Sequence, residues 1–175
     1  MNVREAIEKR RSVRKFKDEQ VPKDAINELI AAARLAPSGC NVQPTKISVV
    51  ASADAKKRLE KAGAFAQGFV SKAPLILVIC GDPAGYEDED RLLKGENRNR
   101  CFRDLSIASA FIVLRATELG LSTCYIGLID SDAIKKTLKI PDSYIIPYVI
   151  CVGYSAEKPR GLSRKPLREF ILGEA

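Results

Sequence analysis

Near its start the chain has two stretches in which apolar residues recur at helical spacing. The first, residues 2–10, predicts a helix with Asn2 as its cap and Glu5 at the capping-box position. The residues that share its expected buried face are Val3, Ala6, Ile7 and Arg10. The second stretch predicts a helix that begins at Pro22 and is stopped by Pro37. Its apolar stripe consists of Ile26, Leu29, Ile30 and Ala33.

Four further runs are typical of β-strands, and they cover residues 46–51, 74–80, 121–126 and 145–152. The run 74–80 is continuously apolar and rich in β-branched residues, which predicts a central strand that is covered on both faces. Pro147 cannot donate to a sheet ladder, so the last run is predicted to be an edge strand or to start there. Short helices are predicted between these runs, at 54–61 and 132–138.

The longest apolar segment predicts a buried central helix at 104–119. Asp104 is a suitable N-cap, and Gly120 is a suitable residue just beyond the end. Most positions between them are apolar or small, and the Ser and Ala positions would let another helix approach closely. Since strands alternate with helices, the pattern alone favours a three-layer α/β sandwich, with the strand directions left open.

Composition narrows the possible functions. The chain has 175 residues, 46% of them hydrophobic, which suits one domain with a sizeable core. Its net charge of +7 suits an anionic ligand as well as nucleic acid. The absence of histidine excludes Ser-His-Asp and Cys-His catalysis and histidine-based metal sites, and neither a P-loop nor a Gly-x-Gly-x-x-Gly turn occurs. No apolar run reaches the roughly 20 residues that a bilayer requires, so we expect a cytoplasmic protein whose five cysteines are reduced and mostly buried.

The most conspicuous chemistry lies at residues 9–16, where five cations surround one hydroxyl. The cations are Lys9, Arg10, Arg11, Arg14 and Lys15, and the hydroxyl is that of Ser12. Such a run is most often a solvated surface or a loose nucleic-acid patch. The other interpretation is a phosphate site, because Arg10 falls on the buried face of the first helix and a guanidinium there needs an anion.

Five segments, taken together, resemble one known family. They are Arg-Arg-Ser-Val-Arg-Lys-Phe at 10–16, Ala-Pro-Ser-Gly-Cys-Asn-Val-Gln-Pro at 36–44, Glu-Leu-Gly-Leu-Ser-Thr-Cys-Tyr-Ile-Gly at 118–127, Val-Gly-Tyr at 152–154 and Arg-Lys-Pro-Leu at 164–167. In this order and at these distances the chain resembles the FMN-dependent nitroreductase family from end to end. The segment 36–44, with two prolines, a glycine and three uncharged hydrogen-bonding side chains, is itself typical of an ordered loop.

The resemblance implies an α+β fold in which helices flank a mixed, largely antiparallel sheet. It also implies an intertwined homodimer with FMN bound at the dimer interface. The whole chain, residues 1–175, would be one nitroreductase-like domain, and the tail from about residue 154 to 175 would wrap the partner subunit. The helix at 104–119 would pack against its twin.

The resemblance also implies roles for individual residues. Arg10 and Ser12 match the phosphate side of the flavin site, Arg14 matches a cation near the pyrimidine edge of the ring, and Arg164 matches a second phosphate contact. Pro37, Ser38, Gly39 and Asn41 match a loop that reaches the ring from the other subunit. Ile126 and Gly127 match the strand end whose backbone approaches flavin N5. Gln67 is a candidate for the pyrimidine edge and equally an ordinary surface residue, and the candidate set is completed by Arg11 and Lys165.

The function that the resemblance implies is hydride transfer from NADH or NADPH through flavin N5 to an organic acceptor, such as a nitro compound or a quinone, in a ping-pong cycle. No side chain need act as acid or base, with Arg14 stabilising charge on the reduced ring. Alternatives are another member of the same fold, such as a dehalogenase, an azoline oxidase or a flavin-fragmenting enzyme, or a polyanion-binding protein that uses residues 9–15. The chain departs from the family at Thr45, where an aromatic residue is usual.

Overall fold

The computed structural model describes residues 1–86, 95–159, 161 and 163–173. Within this part, five α-helices and four β-strands alternate along the chain. In chain order they are α1 Val3–Lys9, α2 Lys23–Arg34, β1 Thr45–Val50, α3 Ala53–Lys61, β2 Leu75–Gly81, α4 Asn97–Glu118, β3 Ser122–Ile126, α5 Ser131–Leu138 and β4 Ile145–Gly153. Capping follows the sequence, since the side chain of Asn2 accepts a hydrogen bond from Glu5 N at 2.9 Å.

The four strands form one sheet in the order β1-β2-β4-β3, and every neighbouring pair is antiparallel. The three-layer arrangement that strand and helix alternation favoured is present, and the strand directions, which the pattern left open, are antiparallel. The α+β fold implied by the resemblance is confirmed. Among the described residues, parallel pairing is limited to an isolated bridge between Ser12 and Thr123.

The prediction from Pro147 is also wrong, because β4 lies inside the sheet between β2 and β3. Pairing with β3 stops at Val149. On the other side, the register between β2 and β4 shifts between Ile79 and Gly81, next to Pro147. The missing N–H therefore falls at an irregularity, where proline is tolerated inside a sheet.

The prediction of a doubly covered strand is confirmed, since all seven residues of β2 are buried. Leu75, Leu77 and Ile79 pack on the face covered by α2 and α4, and the alternate residues pack with α3 and α5. The sheet is thus the middle layer of the molecule. The thiols are free and mostly buried, as predicted, with Cys80, Cys101, Cys124 and Cys151 buried and Cys40 exposed.

Helix α4 differs from its prediction at its start. It begins at Asn97, so Asp104 lies inside the helix and is only 7% exposed, and its prediction as an N-cap is wrong. The preceding turns are polar and show no apolar period, which hid them from the sequence analysis. Although α4 has 22 residues, neither it nor any other helix in the described ranges is long and apolar enough to cross a bilayer.

An apolar face remains uncovered in the single chain, which contradicts the predicted burial of the first helix. Val3 and Ile7 of α1 are 72% and 57% exposed, and Ile107 and Phe111 of α4 are also exposed. Val3 and Phe111 line a groove of about 330 Å³ between the two helices. The helical spacing of these residues was read correctly, but none of the described residues covers the face that they form.

The tail beyond residue 153 exposes a second set of apolar side chains. These are Leu167, Phe170, Ile171 and Leu172. Residues 160, 162, 174 and 175 of the predicted tail lie outside the described part of the chain.

The junction between β4 and the N-terminal segment gives a stability prediction. A Cβ added to Gly153 would lie 2.8 Å from ring carbons of Pro74 and 3.0 Å from the ring of Phe16. We expect Gly153→Ala to lower the free energy of unfolding by about 1–3 kcal/mol through overpacking. Gly68→Ala is the matched control, because a Cβ there meets nothing within 4 Å. Urea denaturation of both variants checks the prediction, and equal midpoints would contradict it.

Candidate functional site

Residues 10–14, which we call the cationic segment, are docked on the open edge of β3. The amide of Val13 donates to the carbonyl of Thr123 at 3.0 Å, and Ser12 forms the parallel bridge to the same residue. The side chain of Val13 is 1% exposed, whereas Ser12 and Arg14 on either side are exposed. Because successive side chains of extended backbone point in opposite directions, burying Val13 turns the hydroxyl and the guanidinium outward.

The segment just after residue 153 holds the cationic segment from its other side. The Glu157 carboxylate accepts hydrogen bonds from the backbone amides of Arg14 and Lys15, at 2.7 and 3.1 Å. These amides, that of Arg14 first, hold the pKa of Glu157 below its ordinary value of 4.5. The backbone of Arg14 is therefore fixed by contacts that leave its side chain exposed.

The arginines of the segment differ in what they contact. Arg10 ends α1 and is half-buried, and its amide donates to Ala6 O at 3.0 Å. The guanidinium of Arg11 donates to the carbonyl oxygens of Glu8 and Arg10, at 2.6 and 2.8 Å, and so caps the helix end. Within the described part of the chain, neither Arg10 nor Arg14 forms an ion pair with a carboxylate.

The basic residues of this segment affect the pKa values of two side chains of β3. Burial raises the pKa of the Cys124 thiol. This increase is opposed by the charge of Arg14, by a hydrogen bond from Ser12 and by the charge of Arg10. Burial likewise raises the pKa of Tyr125, opposed by its hydrogen bond with Ser109 and by the charge of Arg10. Arg10, Ser12 and Arg14 thus lie close to the middle of β3, and their two guanidinium groups and one hydroxyl are donors that suit an anion.

Gly127 follows directly after β3 and leaves open space beside the backbone. A Cβ built there would meet no atom within 4 Å, and its φ is not in the left-handed region. The packing of the described residues therefore does not require glycine at this position. Close approach of a flat ligand to the backbone would require it, because any Cβ would occupy the ligand's space. Ile126, which is 2% exposed, anchors the strand end.

Gln67 belongs to a segment that runs beside Gly127. Phe65 forms an antiparallel bridge with Ile129, and the amide of Ala66 donates to Leu128 O at 3.5 Å. Gln67 therefore directly follows Ala66, whose amide bonds to Leu128, the residue after Gly127. Its side chain is half-buried.

The loop at residues 36–44 adopts an unusual backbone. Cys40, Asn41 and Gln43 have φ values of 50°, 55° and 52°. Left-handed backbone costs roughly 1–2 kcal/mol at each residue that carries a Cβ, so this loop is strained. It is held in part by Ser38, whose Oγ accepts from Gln43 N at 2.9 Å and keeps its own hydrogen available to donate.

The other anchor of this loop is Asp104 of α4, whose Oδ2 accepts from Gly39 N at 2.9 Å. A cavity of about 400 Å³ lies behind the loop, and Ser38, Thr45 and Asp104 are among its lining residues. The residue at which the chain departs from the family pattern, Thr45, thus faces this cavity.

The structure gathers the predicted site residues into three separate places. Arg10, Ser12 and Arg14 lie along the edge of β3. That strand ends at Ile126 and is followed by Gly127, and the segment of Gln67 runs beside this end. Pro37, Ser38, Gly39 and Asn41 are held on α4. Arg164 and Lys165 lie in the exposed tail, where Lys165 pairs with Glu169 at 3.4 Å. Within the described ranges no hydrogen bond or ion pair joins these three groups.

Sequence reasoning missed two residues that hold the site in shape, Glu157 and Asp104. Each bonds across a long separation along the chain, 143 residues from Arg14 to Glu157 and 65 residues from Gly39 to Asp104. No local pattern identifies such pairs, because an acid in a polar tail and an acid at a predicted helix start are both ordinary.

The chain is similar in sequence and in fold to proteins of one known family. The family model described as the nitroreductase family matches residues 7–64 and 62–154. A putative NADH dehydrogenase/NAD(P)H nitroreductase of Methanothermobacter thermautotrophicus is 30% identical, over 91% of this chain and 80% of the relative.

Two solved structures cover the whole of this chain with a TM-score of 0.85. One is a nitroreductase family protein of Clostridium difficile 630, 28% identical and covered over 99% of its length. The other is a putative nitroreductase of Desulfovibrio desulfuricans in complex with FMN, 26% identical and covered over 98% of its length.

The Glu157 contact gives a pH prediction. Because its pKa is lowered on folding, the carboxylate stabilises the fold above about pH 4.5, and this stabilisation is lost as the pH falls through the lowered folded value. We expect Glu157→Gln to lower the melting temperature near neutral pH, with a difference from wild type that vanishes in strong acid. Thermal unfolding across the pH range checks this.

The control is Glu19→Gln, which removes one negative charge from an exposed site with no recorded side-chain contact in the described residues. A Glu157→Gln effect that did not change with pH, or that Glu19→Gln reproduced, would contradict the role of the carboxylate.

Proposed function

This chain belongs to the nitroreductase family, and from that premise we propose that it is an FMN-dependent oxidoreductase. It would pass reducing equivalents from NADH or NADPH to an organic acceptor such as a nitro compound or a quinone. The observation that carries the proposal is the docking of Ser12 and Val13 on Thr123 of β3. It leaves the side chains of Ser12 and Arg14 exposed along the strand that leads to the open backbone of Gly127.

The residues present fit FMN at both ends of the molecule. A phosphate requires cations and donors that are not already neutralised, and Arg10, Ser12 and Arg14 supply them. A flat ring system requires a stretch of backbone without side chains, which Gly127 provides. A relative of the same fold has been solved in complex with FMN.

When bound, FMN supplies the redox chemistry, accepting hydride at N5 and returning it to the acceptor. Arg10 and Ser12 bind the phosphate, and Arg14 stabilises the negative charge that develops on the pyrimidine side of the ring. The guanidinium of Arg11 caps α1, so it adds charge to the site and fixes the backbone of Arg10. A chain without histidine can carry this activity, because no side chain has to move a proton.

The remaining candidates would orient the ring. The backbone at Ile126 and Gly127 would hold its N5 edge, and Gln67 would bind the pyrimidine edge. Ser38 and Asn41 would contact the ring from the loop, with Pro37 and Gly39 setting the loop's path. Arg164 and Lys165 would add a second phosphate contact from the tail.

The active species in this proposal is an intertwined homodimer. Its support is that, among the described residues, no hydrogen bond or ion pair joins the loop at 36–44 to residues 10–14, and a second copy would bring them together. The exposed face formed by Val3, Ile7, Ile107 and Phe111 is apolar enough to be buried between copies. The exposed apolar residues of the tail suit wrapping around the partner, as the single-domain organisation with a C-terminal arm predicts.

The function is tested by flavin uptake. The purified chain should be yellow, or become so with added FMN, and should then oxidise NADH or NADPH in the presence of a nitro compound or a quinone. Gly127→Ala should keep the melting temperature of the apoprotein but lower FMN affinity roughly tenfold or more, because a methyl group would occupy the space that the ring needs. A colourless wild type that takes up no FMN would overturn the proposed function.

The division of roles between the two arginines can be measured separately. Arg10→Ala should weaken FMN binding about 10- to 100-fold, the effect of losing one charge-assisted hydrogen bond. Arg14→Ala should slow flavin reduction more than it weakens binding. Arg4→Ala, which removes an exposed cation of α1 that pairs with Glu8, is the control. FMN titration and stopped-flow reduction provide the comparison, and equal effects of the two variants would contradict it.

A further inference from the structure

The shape of the loop at residues 36–44 depends on a few hydrogen bonds. Three of its residues hold left-handed backbone that carries a Cβ, and a cavity lies behind the loop. Within the loop, Ser38 bonds to Gln43. Val42 packs against the core, and two side chains of α4 tie the loop to the rest of the molecule, since Asp104 accepts from Gly39 N and Arg100 contacts Cys40.

Asp104 is held in place for this contact. Its Oδ2 also accepts a hydrogen bond from the Tyr86 hydroxyl, at 2.6 Å, deep in the core. The backbone of Tyr86 is in turn fixed by Asn97, whose side-chain amide donates to Tyr86 O at 3.0 Å. Burial and then the bond to Asp104 raise the pKa of Tyr86 far above its usual value, so its hydroxyl stays protonated and remains the donor.

A second side chain of α4 contacts the same turn. The guanidinium of Arg100, one helical turn before Asp104, lies 4.6 Å from the centre of the Tyr86 ring. Its Nη2 is 3.7 Å from Cys40 Sγ. Tyr86 is thus held between Arg100 and Asp104, and both of these residues reach the loop at Cys40 and Gly39.

We propose that Asp104, held by Tyr86, is a positioning residue for the flavin site, fixing Gly39 so that Ser38 and Asn41 present their side chains to the ring. The inference rests on the proposed function, and it concerns the ring side alone. The phosphate anchors on β3 are built from other elements and do not contact Asp104. Loss of the anchor should therefore disturb ring orientation much more than flavin affinity.

The first test needs no flavin. In the apoprotein, Asp104→Ala and Tyr86→Phe should increase hydrogen exchange at the Gly39 amide and along residues 39–43. Tyr148→Phe is the matched control, because its hydroxyl also bonds to α4, at Leu105 O, but away from the loop. Unchanged exchange at Gly39 in Tyr86→Phe, or equal acceleration in Tyr148→Phe, would overturn the anchor.

The second test uses the FMN-loaded protein. Asp104→Ala should slow flavin reduction by roughly 10- to 100-fold, the effect of a misplaced reacting group, while FMN affinity changes less than tenfold. Asp104→Asn should restore most of the rate, because its amide oxygen can accept both hydrogen bonds. Tyr86→Phe should fall between these variants, and it keeps the test informative if Asp104→Ala does not fold.

The outcomes separate this inference from the function on which it rests. Wild type that takes up no FMN overturns the proposed function. Wild type that is reduced normally, with the Asp104 and Tyr86 variants reduced as fast as Tyr148→Phe, overturns the positioning role alone. Failure of Asp104→Asn to recover the rate would also overturn it, since the hydrogen bonds and not the charge are proposed to place the loop.

Discussion

Burial of the two central strands on both faces is the constraint from which the rest of this molecule follows. Every residue of β2 is buried, so helices must cover the sheet above and below. Helices α2 and α4 cover one face, and α3 and α5 cover the other. With β2 and β4 inside, β3 is left at the edge, and its unpaired backbone is where the N-terminal segment docks.

That docking places exposed cationic and hydroxyl side chains along a sheet edge, where we propose that the flavin phosphate binds. Burying Val13 sends Ser12 and Arg14 outward, and Glu157 fixes the adjacent backbone without neutralising the exposed guanidinium groups. The residues proposed to bind the phosphate are therefore held by a regular strand. The residues proposed to contact the ring belong to a strained loop, whose position depends on the buried pair of Asp104 and Tyr86. The two halves are stabilised independently and are free to change independently.

Two features of the single chain support the proposal that it associates with a second copy. Among the described residues the apolar face of α1 and α4 is uncovered, and the loop at 36–44 is held on α4 with no hydrogen bond or ion pair to residues 10–14. The same association would cover the face and complete the site. This couples stability to function, because a change that weakens association would also separate Ser38 and Asn41 from the phosphate anchors.

The sequence by itself determined the features that depend on near neighbours. Helical spacing located α2, a continuous apolar run located β2, and the motifs around Arg10, Ser38 and Gly127 identified the candidate site and its family. Only the tertiary structure decided the antiparallel pairing, the tolerance of Pro147 at a register shift, the exposure of Val3 and Ile7, and the role of Asp104. Periodicity records which side of an element is apolar, but not what that side will meet. The partners of Gly39 and Arg14 lie 65 and 143 residues away, so only folding could show them.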